Sequence, residues 1–129
     1  MQSFIHYFFH LGFPLVIAFI FFRNEWKKGY LILIATMLVD LDHLLASPIF
    51  EAERCSINFH PLHTYYAMIV YVALLFFPKP YRILGIGLLL HMLTDLIDCV
   101  MTYATCKICL SASPALDLIR YMASFVGIY

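Results

Sequence analysis

Four long apolar runs constrain the fold of this chain more than any other feature of its sequence. They extend over about residues 4–22, 29–46, 61–77 and 83–101. Each run approaches the roughly 20 apolar residues that a helix needs to cross a bilayer. Charged residues make up only 12% of the chain, against about 25% in soluble domains. We therefore predict a single-domain, all-α integral membrane protein built as a four-helix transmembrane bundle. A shorter apolar segment over about residues 114–129 is interpreted as a C-terminal interfacial helix.

The loops between the predicted spans differ in their content of basic residues. The loops after the first and third spans carry Arg23, Lys27, Lys28, Lys79 and Arg82, whereas the loop after the second span has a single arginine. Short loops rich in lysine and arginine lie in the cytoplasm, so both termini are predicted on the outer side. The formal net charge is zero and there is no basic run, so we expect membrane lipid as the partner and no nucleic acid.

Ionisable residues within the spans converge on the predicted outer half of the membrane. They are His6 and His10 in the first span, Asp40, Asp42 and His43 in the second, His60 and His63 at the start of the third, and His91, Asp95 and Asp98 in the fourth. Within each span they are mostly three or four positions apart and share a helix face. Ionisable residues inside a bilayer are costly and usually mark a functional site. One shared site is therefore predicted.

Imidazole and carboxylate groups without thiolates are typical of zinc, manganese or iron centres. So many candidate ligands fit two divalent ions better than one, with zinc as the first choice. The expected ligands are His10, Asp40, Asp42, His43, His63, His91 and Asp95. His60 and Asp98 are expected to orient a ligand or to act as a general base. For His6, which is close to the predicted interface, an ordinary interfacial role is favoured.

Two adjacent ions suit the displacement of a leaving group at a phosphoester. The sequence therefore favours a membrane-embedded, metal-dependent hydrolase acting on a lipid or another membrane-associated phosphoester. A metal-ion or proton transporter is the first alternative, because buried carboxylates and histidines are equally natural there. With four spans it would need to form a homo-oligomer. The second alternative is a small membrane protein whose metal site is purely structural.

The four cysteines all lie on the predicted outer side, where an oxidising compartment permits disulfides. Cys55 and Cys99 could tie the second loop to the end of the fourth span, above the site. For Cys106 and Cys109, a disulfide or free thiols are favoured over metal binding, because a single Cys-x-x-Cys pair rarely builds a zinc site.

Three motifs, in order, carry a resemblance to a known family. They are Leu38-Val39-Asp40-Leu41-Asp42-His43, then His60-Pro61-Leu62-His63-Thr64, then His91-Met92-Leu93-Thr94-Asp95. This order resembles the small bacterial inner-membrane metal-dependent hydrolases known as LexA-regulated or LexA-binding membrane hydrolases. The resemblance covers about residues 6–98 and implies a location in the bacterial inner membrane. It implies His6 or His10, together with the aspartates and histidines of the three motifs, as metal ligands or their supports. Val39 stands where that family has proline, and the second motif lacks the family's arginine.

Overall fold

The computed structural model describes residues 2–49 and 54–128, and its regular structure is entirely helical. The α-helices are α1 (Gln2–Tyr7), α2 (Phe13–Phe21), α3 (Trp26–Ala35), α4 (Tyr65–Leu74), α5 (Tyr81–Thr105) and α6 (Leu116–Phe125). A π-helical segment, Phe8–Gly12, joins α1 to α2, and 3-10 segments occupy Arg23–Glu25, Thr36–Leu45, Pro61–His63 and Ile108–Leu110. Since no strand occurs in the described ranges, the predicted all-α class is confirmed.

Helix α5 lies at the centre of the molecule and contacts α1, α3, α4 and α6. Two apolar clusters form around it. One contains Ala18, Leu33 and Ile83, and the other includes Met92 and Ile119, all of them buried. Because the central helix carries His91 and Asp95 between its two ends, these side chains face several neighbouring elements at once.

Two helical stretches, Phe4–Phe21 and Tyr81–Thr105, are long and apolar enough to cross a membrane. The other two predicted spans differ from expectation. Residues 29–46 divide between α3 and the 3-10 segment Thr36–Leu45, and residues 61–77 are α-helical only over Tyr65–Leu74. That helix begins late because Thr64 adopts an extended backbone and its hydroxyl caps the helix by accepting a hydrogen bond from the Ala67 amide. By length and composition, the structure supports two of the four spans.

The side chains of the 3-10 segment Thr36–Leu45 lie on three faces, because a 3-10 helix has three residues per turn and aligns residues that are three apart. These are a buried face of Thr36, Val39 and Asp42, an exposed face of Leu38, Leu41 and Leu44, and a half-buried face of Met37, Asp40 and His43. The spacing that the sequence shows for Asp40 and His43 thus places both on one face.

Two disulfides fix the chain near the end of α5. Cys55 is bonded to Cys99, and Cys106 is bonded to Cys109. The first bond joins the segment that precedes α4 to the half of α5 that carries Asp95. It therefore holds the loop residues around Cys55 against the central helix.

Close helix packing at Gly85 gives a first prediction. A Cβ atom at Gly85 would lie 2.9 Å from the backbone oxygen of Tyr71 and 2.8 Å from Cβ of Leu74. We expect Gly85→Ala to push α4 away from α5 and to lower the free energy of unfolding by about 1–3 kcal/mol, as measured by thermal unfolding in detergent. The matched control is Gly12→Ala, whose added methyl meets only the half-exposed ring of Phe8. Equal effects of the two substitutions would contradict the close packing.

Candidate metal centre

Four ligand atoms from three elements converge on one point. They are Oδ1 of Asp40, Nε2 of His63, Nε2 of His91 and Oδ2 of Asp95, which we term the first metal group. Nε2 of His63 lies 3.3 Å from Nε2 of His91, 3.1 Å from the Asp95 oxygen and 3.5 Å from the Asp40 oxygen. Nε2 of His91 lies 3.1 Å from the Asp40 oxygen and 3.4 Å from the Asp95 oxygen.

These distances match the edges of a tetrahedron around a zinc-sized ion. Bonds of 2.0–2.1 Å from a tetrahedral zinc to nitrogen or oxygen place the ligand atoms about 3.3 Å apart. Oδ2 of Asp95 is buried and accepts no hydrogen bond from the described residues. A buried, unpartnered carboxylate oxygen is costly, and a cation at the centre would satisfy it. The residues present therefore fit a divalent metal ion.

Local structure explains why these four side chains meet. His91 and Asp95 are one turn apart on α5, and His63 ends the 3-10 turn Pro61–His63 that precedes α4. His63 has no exposed surface and His91 is 2% exposed. Asp40 comes from the half-buried face of the 3-10 segment and is the most accessible of the four. An ion or a small molecule would therefore reach the first metal group from the side of Asp40.

Asp42, predicted as a ligand, contacts the opposite nitrogen of His63. Its Oδ2 lies 3.1 Å from Nδ1 of His63 and accepts a hydrogen bond of 2.8 Å from the Leu62 amide. A carboxylate can only accept, so the proton of His63 lies on Nδ1 and the lone pair of Nε2 points into the first metal group. Asp42 is therefore placed to orient His63, as the outer carboxylates of metal sites commonly do for a ligand.

This arrangement predicts a specific phenotype for Asp42→Asn. The variant keeps all four atoms of the first metal group but loses the charge that fixes the His63 tautomer. We expect metal affinity to fall about 10–100-fold, with full occupancy restored at high metal concentration. Competition with a fluorescent chelator measures the affinity. Metal that cannot be restored at any concentration would make Asp42 a ligand after all.

A second group of ligand atoms adjoins the first and shares Asp95 with it. It comprises His6, His10 and Asp95, and we term it the second metal group. Nε2 of His10 lies 3.7 Å from Oδ1 of Asp95, and the rings of His6 and His10 are 4.4 Å apart. His10 is 4% exposed and its Nε2 is buried without a hydrogen-bond partner in the described chain. Because the first group uses Oδ2 of Asp95, this carboxylate has one oxygen for each group.

The first predicted span contributes to the second metal group through its π-helical segment. His10 lies within Phe8–Gly12, and such π-bulges are frequent at functional sites. His6 is half-buried, and its Nδ1 lies 3.6 Å from Oδ2 of Asp98. The sequence favours an interfacial role for His6, whereas the structure places it among the candidate ligands. Its four-residue spacing from His10 is the signal that points to this role.

His43 and His60 form a separate cluster with Asp42. Nδ1 of His43 donates to the Asp40 carbonyl oxygen at 3.2 Å, and its Nε2 accepts from the Ser56 hydroxyl at 3.1 Å. The rings of His43 and His60 are stacked with centroids 3.8 Å apart. Both nitrogens of His43 already have hydrogen-bond partners, whereas Oδ1 of Asp42 is buried without a hydrogen-bond partner among the described residues. The roles of Asp42 and His43 as metal ligands stay predictions.

His60 is buried, with 2% of its surface exposed. It does not line the cavity next to the metal groups, whereas Asp98 does.

A cavity of about 450 Å³ adjoins both metal groups. Asp40, Asp95 and Asp98 line it, together with the loop residues Arg54 and Ser56. From the sequence alone, Arg54 belongs to a solvated loop. The Cys55–Cys99 disulfide explains its position here, because it holds this loop against α5.

Comparison with known proteins identifies a family whose function is unknown. No curated protein and no solved structure matches the chain significantly. A model described as "Family of unknown function (DUF6122)" matches residues 1–102, a range that includes every residue of both metal groups. The likeness to membrane hydrolases remains a prediction. On this match, the chain belongs to the DUF6122 family.

Proposed function

We propose that this chain is a membrane-embedded, metal-dependent hydrolase that acts on a lipid or membrane-associated phosphoester. The observation that carries the proposal is the convergence of two imidazole nitrogens and two carboxylate oxygens at 3.1–3.5 Å. Without a cation, four such atoms would compete for very few protons in a buried site.

The two metal groups differ in how many positions the protein fills. The first group offers four ligands, which closes a tetrahedral site, as in structural zinc centres. The second offers three ligands, His6, His10 and Asp95, and leaves one position open, as in catalytic centres. We therefore assign a structural role to the first group. We assign to the second group the open position at which the substrate reacts.

The chemistry follows from this division. When bound, divalent ions lower the pKa of water and stabilise the negative charge that develops on a phosphoryl group. The chain's own residues then have distinct tasks. Asp95 fixes the position of the two groups relative to each other through its two oxygens. Asp98 lines the cavity and lies 3.6 Å from His6, so it is placed to take a proton from the attacking water.

The membrane location is proposed on the lengths of the helical stretches. The stretches Phe4–Phe21 and Tyr81–Thr105 are each long and apolar enough to cross a membrane. The stretch Trp26–Leu45 combines ten α-helical with ten 3-10 residues, which gives about 35 Å at their different rises per residue. That length exceeds the roughly 30 Å of a hydrocarbon core. Helix α4 is too short to cross alone, so a four-span bundle requires its flanking residues as well. The bacterial inner membrane, the outer placement of both termini and zinc as the ion are part of the same proposal.

The variant His6→Ala tests the proposal. It should remove the ion of the second group only, so metal content should fall from about two equivalents to about one, and phosphate release should fall at least about 100-fold. Elemental mass spectrometry measures the metal content. Hydrolysis is measured as release of inorganic phosphate from phosphomonoester lipids and as release of the phosphomonoester product from phosphodiester lipids. The control is Phe4→Ala, an exposed position on the same helix.

A structural metal site is the second candidate, because the first metal group is closed by four protein ligands. It predicts that purified, metal-loaded protein hydrolyses nothing in the panel and that His6→Ala leaves the metal content unchanged. Metal flux into liposomes without hydrolysis would instead favour the transporter alternative.

A further inference from the structure

We infer that the exposed face of the 3-10 segment binds the hydrocarbon chain of the substrate, which makes the substrate a membrane lipid with a phosphoester headgroup. This face consists of Leu38, Leu41 and Leu44, and we term it the leucine ladder. The inference rests on the proposed function and specifies its substrate class.

The leucine ladder is a continuous apolar strip. Its three residues are each one turn apart in a helix with three residues per turn, so their side chains align. Leu38, Leu41 and Leu44 are 66%, 59% and 58% exposed. An α-helix would rotate the same spacing off one face after two turns, so the alignment depends on the 3-10 geometry of this segment.

All three leucines also line the cavity of about 450 Å³ that contains Asp40, Asp95 and Asp98. The cavity therefore has an apolar side and a side that holds the metal ligands. Ligand cavities of roughly 300–1,000 Å³ commonly bury most of a small molecule. A phosphoester headgroup with the first part of its chain fits this volume, and the exposure of the ladder lets the rest of the chain continue outwards.

Charge complementarity identifies the polar end of the occupant. A divalent ion in the second metal group would attract an anionic group to the side of the cavity lined by His6 and Asp95, and the loop that lines the same cavity carries Arg54. An amphiphile with an anionic phosphoester head and an apolar tail matches both sides at once. A water-soluble phosphoester would leave the ladder unused.

Exposure alone does not distinguish the ladder from a leucine that only faces bulk lipid, whereas its position on the cavity wall does. Leu31 in α3 is 67% exposed and is not among the described residues that line the cavity. It therefore provides a matched control for a leucine that only faces lipid.

The first arm of the test requires no turnover. Protein in nanodiscs, loaded with zinc, is irradiated with a long-chain alkylphosphonate that carries a diazirine on its chain, and labelled peptides are mapped by mass spectrometry. We expect labelling concentrated on Leu38–Leu44, competed by unlabelled alkylphosphonate and lost in Asp95→Asn. Labelling of Leu31 should be weak and insensitive to competition. Equal, uncompeted labelling of both regions would overturn the inference.

The second arm compares Leu41→Trp with Leu31→Trp. A tryptophan at Leu41 should obstruct the chain and reduce both labelling and hydrolysis of a long-chain phosphoester about tenfold or more. Leu31→Trp should change neither. Hydrolysis that responds equally to both variants would overturn the inference but leave the proposed function intact. Competed labelling on the ladder with no hydrolysis of any lipid would reject the hydrolase and retain the lipid site.

Discussion

Replacing Asp95 with asparagine should release both ions and abolish hydrolysis. Asp95 is the only residue that belongs to both metal groups, with Oδ2 in the first and Oδ1 3.7 Å from His10 in the second. The asparagine side chain has the same shape but no charge, and its nitrogen cannot serve as a ligand. We expect metal content to fall from about two equivalents to near zero and phosphate release to fall at least about 1,000-fold.

The matched control for this variant is Asp117→Asn. Asp117 is fully exposed on α6 and pairs with Arg120 at 4.0 Å, so the same chemical change should alter neither metal content nor rate. The contrast with His6→Ala is equally informative, because that variant should keep one ion. If Asp95→Asn retained two ions, the shared carboxylate would be excluded.

Removal of the metal should strongly destabilise the protein. His63, His91 and Asp95 are buried, and without a cation their lone pairs face one another. An ion at a free concentration about 1,000 times its Kd stabilises the folded state by about 4 kcal/mol. We therefore expect a chelator to lower Tm by about 10 °C or more, and added zinc to restore it.

A differential scanning experiment in detergent checks this expectation. Asp95→Asn is the internal control, since its Tm should no longer respond to chelator or to zinc. Wild-type protein with the same Tm before and after complete metal removal would contradict a bound ion in the buried groups.

Much of the candidate site follows from spacing along the sequence. Three- and four-residue intervals place His91 with Asp95, and His6 with His10, on shared helix faces whatever the details of packing. The clusters of the different spans are all predicted in the outer half of the membrane. This shared depth predicts that they lie next to one another. His91 and Asp95 lie within one regular α-helix. Between His6 and His10 the helix changes from α to π, and the four-residue spacing still leaves the two rings 4.4 Å apart.

The roles of individual residues depend on side-chain direction, which spacing does not provide. Asp42 is adjacent to both Asp40 and His43 in sequence, yet the Leu62 amide and Nδ1 of His63 hold its carboxylate outside the first metal group. Only the tertiary contact decides which carboxylate binds an ion and which orients a histidine.

The change from α to 3-10 helix at Thr36 could not be predicted from the sequence either, because no glycine or proline occurs in Thr36–Leu45. The change occurs where this segment contacts α5. A Cβ at Gly87 would lie 2.6 Å from Cγ2 of Thr36, which shows how closely the helices approach at the residue where the 3-10 segment begins. The sequence predicts this segment as part of one regular span. In the structure its 3-10 geometry gives it three faces, and these separate the candidate ligands from the leucine ladder.

The metal content of wild-type protein, purified in detergent without added metal, tests the central claim most directly. Elemental mass spectrometry should find about two equivalents of zinc, manganese or iron per chain, as expected for two adjacent sites. Folded protein that contains no transition metal, and binds none when it is supplied, would contradict the metal centre and with it the hydrolase.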